Sequence, residues 1–184
     1  PRHANNMPAI GPNTRFLLAQ PFLADTAKAL ESRGAQRIAA PFPLGIEGTS
    51  QWLWAAAALF NVAKQHFDIV TEPARQRATA AKTLFDQTTA SARHRAESAL
   101  AKQRAQLTGK RIFFFPDSQL EIPLARFLSR ELGMVLVEVG TPYLHRQHMA
   151  EELALLPAGT QLSEGQNVEN QLDRCRATQP DIVV

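Results

Sequence analysis

The chain has 184 residues, 45% of them apolar and 20% charged, with a formal charge of +3. That is an ordinary globular composition, long enough for one full core or two small lobes. No apolar run approaches the roughly 18 residues of a membrane span, and no secretory signal pattern is present. The lone cysteine, Cys175, excludes an internal disulfide framework and fits a reducing compartment. It also excludes a metal or iron–sulfur site held by thiolates of these residues alone, which would need several. The sequence opens on Pro1 and closes on Asp181-Ile-Val-Val184, which reads as a strand just begun, so both ends are expected to continue.

Residues 1–14 are polar and rich in Pro and Asn, and read as a linker. Residues 15–70 form an α/β segment. A short apolar strand at 15–19 is stopped by Pro21. A helix over 22–33 places Leu23, Ala27 and Leu30 on one face and ends at Gly34. A second strand at 38–40 is broken by Pro41 and Pro43. Thr49 is a candidate N-cap for a helix reaching Phe60 that carries Trp52 and Trp54, core or interface residues that an apolar pocket could also use.

Residues 71–108 read as one long basic helix or a helix pair, weakest at Thr88-Thr89. Arg75, Arg77, Lys82, Arg93, Arg95, Lys102, Arg104 and Lys110 are opposed only by Glu72, Asp86 and Glu97. No aromatic residues interleave these charges as a stacking surface would need, so a solvated face is expected and no nucleic-acid partner.

Residues 109–184 read as a Rossmann-like βαβ domain, truncated at its carboxyl end. Strands are expected at 111–115, 134–139, 160–162 and 181–184, and helices at 119–132, 146–156 and 167–178. The fold class is therefore α/β, with parallel sheets and flanking helices. The apolar run at 111–115 is that of a central strand covered on both faces. In such sheets ligands lie beyond the carboxyl ends of the strands. Those ends are Pro116-Asp117-Ser118-Gln119, Gly140-Thr141-Pro142-Tyr143 and Ser163-Glu164-Gly165. The helix starting near Gln119 offers its positive end to an anion or polar group, unless Asp117 or Ser118 caps it instead. His145 and His148, with Glu151 and Glu152 nearby, have helical metal-ligand spacing but lack a clear third ligand, so a surface helix is expected. Cys175 reads as a small core residue. There is no Walker A motif, GxGxxG turn or GxSxG elbow.

From Gly109 the string GKRIFFFPDSQLEIPLARFLSRELGM, then VEVGTPYLHRQHMAEELALLP, resembles the N-subunit family of light-independent (dark-operative) protochlorophyllide reductases. The stretches LLAQPFLADTAKALESRGAQRIAAPFPLGIEGT and SEGQNVENQLDRCRATQPDIVV fit as well. The resemblance covers most of the chain and is weakest in residues 1–14 and 71–107. It implies a nitrogenase-like α/β subunit in ATP-dependent, ferredoxin-driven reduction of the C17=C18 bond of protochlorophyllide to chlorophyllide a, in chlorophyll or bacteriochlorophyll synthesis. The implied partners are a B subunit, in a heterotetramer of two N and two B subunits, and an L-protein dimer that holds MgATP. The implied cofactor is a 4Fe-4S cluster at the N–B interface. The family's three N-subunit cysteine ligands precede this region and Cys175 matches none of them, so the chain is expected to be a middle segment, inactive alone. By the same resemblance Pro116, Asp117, Ser118, Gln119 and Tyr143 are expected to line the pigment site, and the location to be bacterial cytosol or plastid stroma. No catalytic residue and no metal ligand is expected within these residues. A chlorophyllide reductase subunit, a nitrogenase-like cofactor scaffold and a non-redox Rossmann-like binding module are the competing readings.

Overall fold

The computed structural model describes residues 9–62, 72–165 and 167–184. The expected boundary at residues 70 and 71, most of the expected 1–14 linker, and the side chains of Arg75 and Arg77 lie outside the described residues.

The first unit is β1 (Arg15–Phe16), α1 (Ala24–Glu31) and β2 (Gln36–Arg37), with the two strands paired in parallel. The second strand thus lies upstream of residues 38–40. The ladder still reaches Ile38, whose N–H donates to the Phe16 carbonyl at 2.8 Å, before Pro41 ends any extension. Gly34 adopts φ +88° just past α1, a conformation that favours glycine.

The helix α2 (Gly45–Val62) starts five residues earlier than a Thr49 N-cap would place it. The cap is supplied from far along the chain. The Glu131 carboxylate accepts from the Ile46 N–H at 2.6 Å and the Glu47 N–H at 3.1 Å. A carboxylate on the first turn also meets the positive end of the helix. Trp52 fastens α2 to the small sheet through its indole N–H, which donates to the Leu18 carbonyl at 2.9 Å.

The helix α3 (Glu72–Leu107) runs unbroken for 36 residues. Thr88 and Thr89 do not interrupt it, because their hydroxyls donate to the carbonyls of Leu84 and Phe85 at 2.8 Å. Trp54 of α2 packs against Phe85 of α3 with ring centroids 5.4 Å apart. Part of the basic face is neutralised locally, since Lys82 and Arg93 both pair with Asp86.

The larger sheet follows from β3 (Arg111–Phe114), α4 (Glu121–Arg130), β4 (Val135–Thr141), α5 (Ala150–Leu153), β5 (Leu162–Glu164), α6 (Val168–Thr178) and β6 (Ile182–Val183). All its pairings are parallel, in the order β5-β4-β3-β6. Ile112, Phe113 and Phe114 are buried in β3, with Ile122 and Ala125 of α4 and Val139 of β4. The chain steps from β3 to β4 and β5 on one side, then returns to place β6 on the other. The switch point therefore lies at the carboxyl end of β3.

Several boundaries differ from the sequence pattern. The strand expected at 160–162 sits at Leu162–Glu164, paired with Val139–Thr141. The helix expected over 146–156 is only Ala150–Leu153, because residues 146–148 form a turn. There the N–H groups of His148 and Met149 both donate to the His145 carbonyl at 3.0 Å. The α4 helix is shorter at both ends than 119–132, with Gln119 at φ +70° before it and Gly133 at φ +74° after it.

Candidate functional site

The loop after β3 carries Pro116, Asp117, Ser118 and Gln119 to the switch point. Its shape is set by Glu121, the first residue of α4. One oxygen, Oε1, accepts from the Asp117 N–H at 2.7 Å and the Ser118 N–H at 2.6 Å. The carboxylate thus holds the loop in front of the helix rather than the first turn of the helix itself. Neither alternative cap holds the helix firmly. Asp117 caps nothing among the described residues, and the Ser118 hydroxyl takes the Leu120 N–H only at 3.4 Å.

Of the five residues expected to line a site, two meet in one cleft of about 590 Å³, Gln119 and Tyr143. Phe22 and Asp25 close it from the α1 side, and His145 and His148 from the β4–α5 turn. Tyr143 is anchored by its backbone, since the Thr141 hydroxyl donates to its carbonyl at 3.3 Å and the Leu144 N–H donates to Glu164 at 2.9 Å. Pro116 instead packs over Gly140, where an added Cβ would lie 3.1 Å from the ring. The Asp117 and Ser118 side chains are exposed and do not line the cleft.

The two histidines lie against each other in the β4–α5 connection. Their rings stack face to face, with centroids 3.8 Å apart and planes 12° from parallel. His145 also meets Tyr143 edge-on at 6.3 Å. Glu151 pairs with Arg37 at 3.6 Å and Glu152 is taken by Arg126 at 2.6 Å. No group of three or more metal-binding side chains occurs among the described residues. Cys175, half-buried on α6, has no companion ligand there.

His148 is 4% exposed, and its Nδ1 has no hydrogen-bond partner among the described residues. Burial holds its pKa below the usual histidine value, with further lowering from His145 and Arg37 and partial opposition from Glu31 and Glu151. The unfolded chain therefore binds this proton more tightly than the folded one. Stability is expected to fall as pH drops below about 6.5, and to level off below the folded value. His148→Phe should keep the ring stack and flatten that slope in urea titrations at successive pH values. An unchanged slope would mean that another group causes it.

A larger cavity of about 650 Å³ lies away from the switch point, between α2, α3 and α4. Trp54 and Phe85 give it an aromatic wall, while Lys82, Arg93 and Arg130 line it beside Glu47 and Asp86. The Arg130 guanidinium donates twice to the Glu47 carboxylate, at 2.6 and 2.7 Å, and holds it below the usual carboxylate range.

The model of nitrogenase component 1 type oxidoreductases matches residues 2–184. The chain belongs to this family. It is 64% identical over its whole length to the light-independent protochlorophyllide reductase subunit N of Bradyrhizobium sp. strain BTAi1. The same subunit of Rubrivivax gelatinosus is 63% identical, and that of Rhodopseudomonas palustris strain BisA53 is 62% identical, again over the whole chain. The chain spans 39% of the length of each of these relatives. Among the described residues of this nitrogenase component 1 type chain, no helix is long and apolar enough to cross a membrane.

Sequence reasoning missed the two buried ion-pair systems that hold this part of the fold. In one, Arg126 joins α4 to α5 and to the segment before α2. In the other, Glu138 of β4 is gripped by Arg174 and Gln171 of α6 and Ser163 of β5. A visible signal existed for the second, a glutamate within the otherwise apolar strand VLVEVG. Nothing local marked Glu121 as the residue that shapes the loop.

Proposed function

We propose that this chain is part of the N subunit of a light-independent protochlorophyllide reductase, reducing the C17=C18 bond of protochlorophyllide to give chlorophyllide a. The observation that carries this reading is 64% identity across the entire chain to a subunit of that name. The working assembly would contain B subunits and take electrons from a separate ATP-hydrolysing L protein, in bacterial cytosol or plastid stroma. Its 4Fe-4S cluster would need ligands other than those on this chain, because Cys175 stands alone and no metal-binding group accompanies it among the described residues.

These residues would serve the pigment by shape and polarity. The residues 116–120 loop and the β4–α5 turn frame a cleft in which Tyr143 and His145 present ring faces and edges to a flat macrocycle. Gln119 offers an amide that can donate and accept at the macrocycle's polar rim, in a lining that also carries Asp25, Lys28, Glu31 and Gln147. Pro116, Asp117 and Ser118 would act as the loop that carries Gln119. In this reading residues 15–70, 71–108 and 109–184 are successive parts of one Rossmann-like subunit.

The test is dark reconstitution of the full-length subunit with B and L proteins, ATP and a reductant. ATP-dependent loss of protochlorophyllide absorbance, with chlorophyllide appearing, is the expected result. Turnover of chlorophyllide instead, or no pigment turnover with an intact cluster, would overturn it.

A further inference from the structure

We propose that Glu121 is a positioning residue whose buried carboxylate fixes the loop after β3 and so aims Gln119 into the cleft opposite Tyr143. The inference rests on the reading of that cleft as pigment-facing.

Three observations point the same way. First, both hydrogen bonds of Glu121 Oε1 go to backbone N–H groups of the loop, at Asp117 and Ser118. In a capping box a glutamate two residues further into the helix would reach back to the N-cap N–H. Here the carboxylate reaches three and four residues back, so it serves the loop and not the helix. Second, Gln119 lies between those anchored residues and the helix at φ +70°. A non-glycine residue keeps that conformation only where its surroundings over-determine it. The two N–H anchors on one side and α4 on the other supply that constraint. Third, Glu121 is 4% exposed and its second oxygen is buried without a partner among the described residues. A buried carboxylate with one unsatisfied oxygen calls for a role, and the two N–H bonds of the other oxygen supply one. Charged acceptors bind N–H groups more strongly than neutral ones, which suits one atom holding two donors.

The geometry then links Glu121 to the cleft through backbone alone. Without the carboxylate, residues 117 and 118 lose their anchor, Gln119 relaxes out of the left-handed region, and its amide leaves the cleft wall. Glu121 touches no substrate in this arrangement.

The experiment compares wild type, Glu121→Ala and Glu121→Gln in the reconstituted full-length complex, with two readouts. One is hydrogen-exchange protection at residues 117 and 118, and the other is the KM–kcat split for protochlorophyllide. The alanine variant should lose protection there and raise KM about tenfold with kcat changed less than about threefold. The glutamine variant keeps a neutral acceptor, so it should recover most of both. Lost protection with an unchanged KM would overturn the positioning role, as would retained protection. If Glu121→Ala fails to fold, Glu121→Met, which keeps much of the volume but has no acceptor oxygen, decides, and a Glu121→Met variant indistinguishable from wild type in both readouts overturns the inference. If the wild-type complex does not act on protochlorophyllide, the functional reading falls and exchange alone judges Glu121. Protection lost in the variant without an acceptor then supports its hold on the loop, and protection kept there overturns it.

Discussion

Replacing Arg126 with methionine is expected to lower the unfolding free energy by about 3–5 kcal/mol, the usual cost of stranding a buried charge. Arg126 is 0% exposed and Glu152 is 1% exposed. The guanidinium donates to Glu152 at 2.6 Å, to the Leu44 carbonyl at 2.8 Å and to the Phe42 carbonyl at 3.3 Å. Glu152 also accepts the Phe42 N–H at 2.7 Å. Glu131, which caps α2, lies 3.6 Å from the same guanidinium. Methionine restores much of the volume, so the loss measures the polar clasp and not a cavity. Burial already pushes the Glu152 carboxyl up, against the pull of Arg126 and the Phe42 N–H. Without Arg126 the carboxyl should take a proton in the fold, which the unfolded chain would release more readily. A raised folded pKa stabilises below the unfolded value and loses that stability as pH rises through the folded one. The deficit of the variant should therefore shrink on going from pH 8 to pH 5. Glu152→Gln added to Arg126→Met should recover part of it at pH 8, since the amide oxygen can still accept from Phe42. Urea unfolding reads all three, and a single-variant loss under about 1 kcal/mol would show that the clasp is not holding these elements together.

What the sequence made legible was local. The run RIFFF marked the central strand because a strand covered on both faces needs no alternation. Gly34 marked the end of α1, and the helix expected over 167–178 is α6 with Asn167 as its cap. The illegible features depend on residues far apart. Thr49 had the right chemistry for a cap, but Glu131 caps α2 from 85 residues away, so the helix begins at Gly45. The 146–156 stretch has helical spacing, yet its first residues form a turn beside the stacked histidines and only Ala150–Leu153 is helical. The candidate site divided along the same line. Strand ends located Gln119 and Tyr143, while only the three-dimensional cleft separated them from the exposed Asp117 and Ser118. The role of Glu121 required knowing that its side chain folds back on the loop.

The second large loss is expected from Glu138→Gln, at about 3 kcal/mol near neutral pH. Glu138 is 2% exposed in the middle of β4. Arg174 donates to its two oxygens at 2.7 and 2.8 Å, the Ser163 hydroxyl donates at 2.7 Å, and the Gln171 amide donates at 3.3 Å. Every neighbour is a donor, so an amide NH2 at this position must face one of them. The effect should also depend on pH. The Arg174 hydrogen bonds, helped by those of Ser163 and Gln171, hold the Glu138 carboxyl below its ordinary value despite burial. A depressed folded pKa means that the unfolded chain binds more protons in the window below the ordinary carboxylate value of about 4.3. The stabilisation is complete above that window and is lost as pH falls through the folded value, so the gap between Glu138→Gln and wild type should close on acidification. A gap constant down to pH 3 would mean that the loss is steric rather than ionic. The damage should reach the cleft as well. The Gln171 amide fills the space beside Gly140, where an added Cβ would lie 2.5 Å from Nε2, and Gly140 is three residues before Tyr143 on the strand that delivers it. Hydrogen exchange at residues 141–144 should therefore rise in Glu138→Gln while that of β3 stays low, because β3 contributes no donor to this network.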